Sequence, residues 1–249
     1  MTEFLLIGAK KTPCIFADLK KVAIIQSNYI PWRGYFDVIN QVDEFILLDE
    51  VQFTRRDWRN RNKIKTHSGT RWLTIPVLTK GKYLQSISET QVEDSSWAEH
   101  HWSSIEHAYR KAPFYDALEP FLRSLYEQAQ KKSLLSEINR IFLEGLCHEL
   151  GISTKLRGSF EYELVGKKTE RLLSICQQAG ATTYLSGPAA KSYLDESMFA
   201  GEGIAVDWVD YSGYPDYAQL HGEFDGAVSV LDLLFNTGRQ ARDYMLSFR

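Results

Sequence analysis

Residues 22–77 read VAIIQSNYIPWRGYFDVINQVDEFILLDEVQFTRRDWRNRNKIKTHSGTRWLTIPV. Val22–Gln26 is a short apolar run bounded by turn-forming residues, the pattern of a fully buried strand. Ser27 to Trp32 is loop. Gly34–Asn40 predicts a helix with Phe36 and Ile39 inward. Glu44–Asp49 (EFILLD) is the second strand. In open α/β sheets, ligands sit where strands end and helices begin. Polar groups crowd those points here, and a dense basic and aromatic segment follows. The stretch is therefore read as one wall of a binding site for an anionic ligand.

Outward from this unit, Trp72–Val77 alternates and contains Pro76, which suggests an edge strand. Ile87–Thr90 is expected to be a further short strand. Trp97–Ala112, Tyr115–Ala129 and Leu134–Leu150 are three successive helices, the last closed by Gly151. Lys155–Ser159 then predicts a strand and Thr169–Ala179 a helix. Thr182–Ser186 is a strand, and Ala189–Glu196 a helix opened by Pro188. Ile204–Val209 is a strand and Val228–Phe235 a late helix. The order is βαβ, a helical block at about 95–151, then βαβαβ. It predicts an α/β fold, a mostly parallel sheet flanked by helices in a Rossmann-like arrangement. Residues 1–20 read as an N-terminal extension and 21–249 as a single α/β domain.

The chain has 249 residues and a formal net charge of -3, so any attraction for phosphate must come from a local patch. Cys14, Cys147 and Cys176 are too scattered for a disulfide framework or a CxxC-type zinc site. Reduced thiols in a cytoplasm are the simple reading. There is no apolar run of about 18 residues, so no membrane insertion is expected.

Four constellations could carry chemistry. The first is the loop with Gln26, Asn28, Tyr29 and Trp32, which feeds a helix N-terminus able to favour anions. The second joins Asp49, Glu50 and Gln52 to a segment carrying Arg55, Arg56, Arg59, Arg61, Lys63, Lys65 and Arg71 against Asp57 alone. Trp58, Asn60 and Asn62 interleave. Arginine suits bidentate phosphate recognition, and the aromatics suit stacking on a base or sugar. A solvated basic hairpin is the plainer alternative. The third is Ser186-Gly187-Pro188 with Lys191, a strand, a turn and a helix start. The fourth is the tail with Tyr217, Gln219 and His221. Asp49 and His221 are the candidate proton acceptors. Trp97–Trp102 with His107 offers histidines but no third converging ligand, so no metal is assigned.

Pro31-Trp32-Arg33-Gly34-Tyr35 falls where the HIGH-signature nucleotide-binding superfamily places P-x-H-x-G-H, but without histidine. QSNYIPWRGYFDVINQVDEFILLDEVQF, WRNRNKIK, WLTIPV, KKTERLLSIC, TYLSGPAAKSYL, GIAVDWVDY and YPDYAQLHGEFDGAVSVLDLLFNTG together resemble the WbqC-like family over about Lys21 to Gly238. Ser27 stands where the family commonly has proline. Tyr214-Pro215 and Tyr217-Ala218-Gln219 stand where it commonly has His-Pro and Tyr-Pro-Gln.

The resemblance implies a role among O-antigen and other surface-polysaccharide genes. It implies addition of an amino acid or acyl group to the amine of a nucleotide-linked sugar. The expected partners are that sugar and an acyl or aminoacyl donor, charged tRNA among the donors. A ligase would draw on ATP; a transferase would take a preactivated donor. A non-catalytic nucleotide-sugar carrier and an RNA-binding protein are the alternatives. Homodimerisation is left open.

Overall fold

The computed structural model describes residues 19–249. Of the expected extension only Leu19 and Lys20 fall among the described residues; Cys14 lies outside them. β1 (Lys21–Ile25), β2 (Glu44–Leu47), β5 (Lys155–Gly158), β6 (Thr183–Ser186) and β7 (Ala205–Trp208) form one sheet in the order β5-β2-β1-β6-β7. Every neighbouring pair is parallel. Each strand sends alternate residues to opposite faces. Val22, Ile24, Ile46 and Tyr184 enter one apolar cluster, with α5 (Thr169–Gln178) and α6 (Glu196–Gly201) over it. Ala23, Phe45, Leu47 and Leu185 enter the other. That second cluster takes in α1 (Arg33–Asn40), α2 (Trp97–Tyr109), α3 (Tyr115–Ala129), α4 (Leu135–Leu150) and α7 (Val230–Thr237). Burial on both faces explains why the strands read as continuous apolar runs.

The predicted Rossmann-like α/β architecture is thus the observed one. Chain order runs outward from β1 to β2 and β5, then jumps back to β6 and β7 on the other side. The reversal between β1 and β6 is the topological switch point, where open sheets of this kind bind ligands at the strands' carboxyl ends.

Three local expectations are corrected. Trp72–Val77 does not join the main sheet: β4 is Gly69–Thr74 and pairs antiparallel with β3, Arg61–Thr66. The basic segment is therefore a hairpin with Asn62 and Ile64 pointing inward on one face and Lys65 buried on the other. Ile87–Thr90 forms no strand; only Ser86 bridges to Gln52. Ala189–Glu196 is not one helix. A 3-10 turn spans Pro188–Ser192, and α6 starts afresh at Glu196. Asp195 caps it by accepting from the Ser197 N–H at 3.0 Å, a side-chain bond that favours a new helix start over continuation. The Cys147 and Cys176 thiols are buried, and burial pushes both up to about 12. Among the described residues no helix is long and apolar enough to cross a membrane.

Candidate functional site

The loop from the end of β1 to α1 is held in an unfavourable backbone form. Ile30 has φ 40°, which a β-branched residue before a proline avoids. Surrounding bonds hold it there. The Tyr29 N–H donates to the Trp58 carbonyl at 3.0 Å. Asn62 Nδ2 donates to the Ile30 carbonyl at 2.8 Å and the Tyr29 carbonyl at 3.2 Å. The Val230 N–H donates to the Pro31 carbonyl at 2.9 Å. Such over-determined strain clusters at functional sites. α1 follows with Trp32 at its N-cap and no side-chain cap, so its first N–H groups are left for solvent or ligand.

A cleft of about 430 Å³ opens at this point. Asn28, Pro31, Trp32 and Arg33 line it from the loop and α1, Trp58 and Asn62 from the hairpin side, and Tyr211, Tyr214, Gly226 and Ala227 from the tail. Trp32 lies against Tyr211 and Tyr214, with ring centroids 5.3 and 5.5 Å apart. Trp58, which lines the cleft from the hairpin side, is 42% exposed and backed by Trp72 at 5.4 Å. Arg61 and Lys63 stack on Trp72, at 4.1 and 5.1 Å from its centroid. The cleft thus has two aromatic walls and a basic rim. Arg33 is the one charged side chain in its lining.

Arg59 is not on offer as a loose phosphate ligand. Its guanidinium donates to Asn28 Oδ1 and, at 3.2 Å, to Gln26 Oε1, and pairs with Asp57 at 3.7 Å. It fixes the amides of the loop instead. Behind it lies a buried polar core. The Asp49 carboxylate accepts the Ser27 N–H at 2.9 Å, and Asn139 on α4 donates to Ser27 Oγ and the Arg59 carbonyl, both at 2.9 Å. Burial raises the Asp49 pKa above the ordinary carboxylate range, against the pull of the Ser27 bonds. Asp49 lines not the aromatic cleft but a second hollow of about 340 Å³, with Glu50, Glu137, Arg140 and Phe160.

Of the expected site residues, Asn28, Trp32 and Trp58 line the cleft, and Gln26, Arg59, Arg61 and Lys63 stand around it. Tyr29 does not face it. The ring is fully buried, with its hydroxyl 2.9 Å from His101 Nδ1 and 2.6 Å from Tyr126 Oη. Asn60 is also buried and donates to the Ile75 carbonyl at 2.8 Å. Gln52 and Arg55 point to the outer loop, donating to the carbonyls of Tyr83 and Thr79 at 2.9 and 3.3 Å. Ser186 and Gly187 lie at the end of β6 on the same sheet edge; a Cβ on Gly187 would stand 3.7 Å from the Tyr211 hydroxyl. Lys191 lies away from the lining, 5.2 Å over Trp208. Tyr217 and Gln219 are turned into the interior, both bonded to Asp232. His221 is not brought to the cleft, because its Nε2 sits 2.7 Å from the Ala108 carbonyl on α2.

Pro31 and Arg33 belong to the strand-end loop, Asn62 to the basic segment and Tyr214 to the tail, all read as candidate sites, whereas Tyr211, Gly226 and Ala227 are lining residues outside every candidate. For Arg33 the signal was available: a cation at the first helical position after a strand-end loop. Tyr214 stood in the polar and aromatic tail after the last strand; for Tyr211 there was no signal, since its approach depends on where the tail crosses the sheet edge.

A WbqC-like protein family model matches residues 26–244. The chain is also 53% identical over 227 residues, 91% of its own length and 98% of the relative's, to the "Uncharacterized protein Rv1507c" of Mycobacterium tuberculosis (strain ATCC 25618 / H37Rv). No solved structure matches it. The matched span begins in the strand-end loop and closes beyond α7, so it takes in every segment that lines the cleft, and the chain belongs to the WbqC-like protein family.

Proposed function

We propose that the cleft binds a nucleotide-linked amino sugar in the cytoplasm, and that the protein transfers an acyl or aminoacyl group to the sugar's amine in surface-polysaccharide biosynthesis. The observation that carries this reading is a lining of two aromatic walls around a single cation at the sheet's switch point. Flat rings suit a base or a pyranose, and the cation suits phosphate. The reaction is written with a preactivated donor. The neutral amine attacks the carbonyl carbon of a thioester or aminoacyl ester, the C–N bond forms, the C–S or C–O bond breaks, and the nitrogen's proton goes to the departing thiolate or alkoxide. This route asks for no carboxylate or imidazole in the cleft, and its lining has neither. Calorimetric titration with UDP- and dTDP-linked amino sugars is expected to show binding; absence of heat with all of them would remove the reading.

The same lining supports a second reading, a carrier that binds the ligand without turning it over. Product detection by mass spectrometry after incubation with ligand and thioester or aminoacyl donors separates the two. Binding with no product favours the carrier.

A variant that moves one wall tests the cleft directly. A Cβ on Gly34 would lie 2.3 Å from Trp32 Cζ2, so Gly34→Ala must push the Trp32 ring out of place. Ligand affinity is expected to fall by about tenfold, equivalent to about 1.4 kcal/mol. Affinity equal to wild type in calorimetry would show that the Trp32 wall does not touch ligand.

A further inference from the structure

We infer that Arg33 is the anion anchor of the cleft, taking phosphate oxygens on the Nε–Nη2 edge of its guanidinium; the ligand's identity as a nucleotide diphosphate rests on the reading above. Arg33 is the first residue of α1 and 5% exposed. Its Nη1 donates to the carbonyls of Pro215 at 2.7 Å and Tyr244 at 3.0 Å. The other edge has no acceptor among the described residues. Nε is buried without a partner. Nη2 faces Gly226, where a Cβ would stand 3.8 Å from it, and Gly226 lines the same cleft.

Leaving a buried cation's donors unmet is costly, and the two carbonyls bound by Nη1 leave the Nε–Nη2 edge unanswered. Asp37 is close enough to act on the charge, but its oxygens accept from the Leu246 and Ser247 N–H groups at 3.0 and 2.9 Å. Burial lowers the Arg33 pKa despite the opposing pull of Tyr217, Tyr214, Asp216 and Asp37. Two parallel N–H groups on one guanidinium edge match two oxygens of a phosphate. The uncapped start of α1 adds its own N–H groups and dipole at that place. The tyrosine rings of Tyr214 and Tyr217, 4.7 and 5.5 Å from the guanidinium carbon, restrict its movement. The hairpin arginines first read as the phosphate clamp are otherwise engaged, Arg59 with the loop amides and Arg61 with Trp72.

The test is calorimetric titration of the full chain with inorganic pyrophosphate and, separately, with the UDP- and dTDP-linked amino sugars. Wild type is expected to bind pyrophosphate. Arg33→Lys keeps the charge but loses the forked edge, and its affinity is expected to fall by about tenfold or more. Because Arg33 also holds two carbonyls, Gly226→Leu provides a variant that retains the arginine and fills the space beside Nη2; it is expected to weaken pyrophosphate binding similarly. Unchanged affinity in whichever of these variants keeps its wild-type melting profile overturns the inference. So does a wild-type chain that takes up no pyrophosphate. Arg33-dependent pyrophosphate binding without uptake of any of the nucleotide-linked amino sugars keeps the anchor and removes the proposed function. Uptake of the sugar that ignores both variants removes the anchor alone.

Discussion

Replacing Asp232 with alanine is expected to lower the unfolding free energy by about 3–5 kcal/mol. α7 is buried on all sides, and Asp232 is its single ionisable residue, 1% exposed. The carboxylate accepts from Tyr109 Oη at 2.9 Å, Tyr217 Oη at 2.8 Å and Gln219 Nε2 at 2.7 Å. Gln219 in turn accepts from Lys65, which is 5% exposed on β3 and also donates to the Glu223 carbonyl. Alanine would strand three buried donors and leave the Lys65 charge without a nearby anion. The same cluster ties the hairpin to the tail, and both contribute residues to the cleft lining. Ligand affinity is therefore expected to fall along with stability.

The charge itself is not the gain. Burial raises the Asp232 pKa above its unfolded value, so the fold favours the protonated form. Between the unfolded and folded pKa values the folded chain holds more protons. This group's contribution to stability therefore grows as pH falls through that window and shrinks as pH rises through it. Asp232→Asn, which keeps an acceptor and removes that pH dependence, should cost less than alanine. Lys65→Met combined with Asp232→Leu should cost less than the sum of the two single changes, because a buried polar pair replaced as a unit strands nothing. Urea unfolding at neutral pH measures wild type and all five variants. A loss under about 1 kcal/mol for alanine would show that the cluster does not bind these elements together.

The sheet was legible because its strands are buried on both faces, so apolar runs such as VAII, FILL and TYL could hardly be anything else. The switch point followed from strand order. The hairpin was harder. In Arg61–Thr66 the outward Arg61 and Lys63 dominate the composition, while the inward pattern rests on Asn62 and Ile64 alone. The site was legible as a place and only partly as a list of residues. Asn28, Trp32 and Trp58 could be named because a strand-end loop and a basic aromatic segment both pointed there. Lys65 was read into the basic segment, and Tyr217 and Gln219 as ligand contacts. Sequence gives no sign that a lysine and an aspartate 167 positions apart share one buried cluster. Tyr29 was placed with the ligand contacts because its neighbours are polar. Backbone φ at Ile30 and the Asn62 bonds turn its ring inward, which local composition does not encode.

That inward turn carries the other large expected effect. His101 is 6% exposed on α2, with Nε2 3.1 Å from the Thr74 carbonyl and Nδ1 2.9 Å from Tyr29 Oη. A carbonyl can only accept, so Nε2 carries the proton and Nδ1 accepts from Tyr29, whose oxygen then accepts from Tyr126. With a neutral imidazole the chain of bonds is complete in this direction, whereas a charged one would reverse it. Burial pushes the His101 pKa down to about 4 from an ordinary 6.5, outweighing the Thr74 bond. Between those values the unfolded chain takes up a proton that the folded chain refuses. Stability is therefore full above about pH 6.5 and declines as pH falls towards 4. At about 1.36 kcal/mol per pH unit, the whole window is worth about 3 kcal/mol. Asp49 and Asp232 act in the opposite sense over part of the acid range, so the wild-type curve alone does not isolate the histidine. His101→Asn retains a donor and an acceptor without titrating. The difference between wild-type and His101→Asn unfolding free energies, measured by urea at half-unit pH steps, is expected to change by about 3 kcal/mol across the window. A flat difference would mean that His101 is charged within the fold, and that the buried Tyr126–Tyr29–His101 chain is wired in the opposite direction.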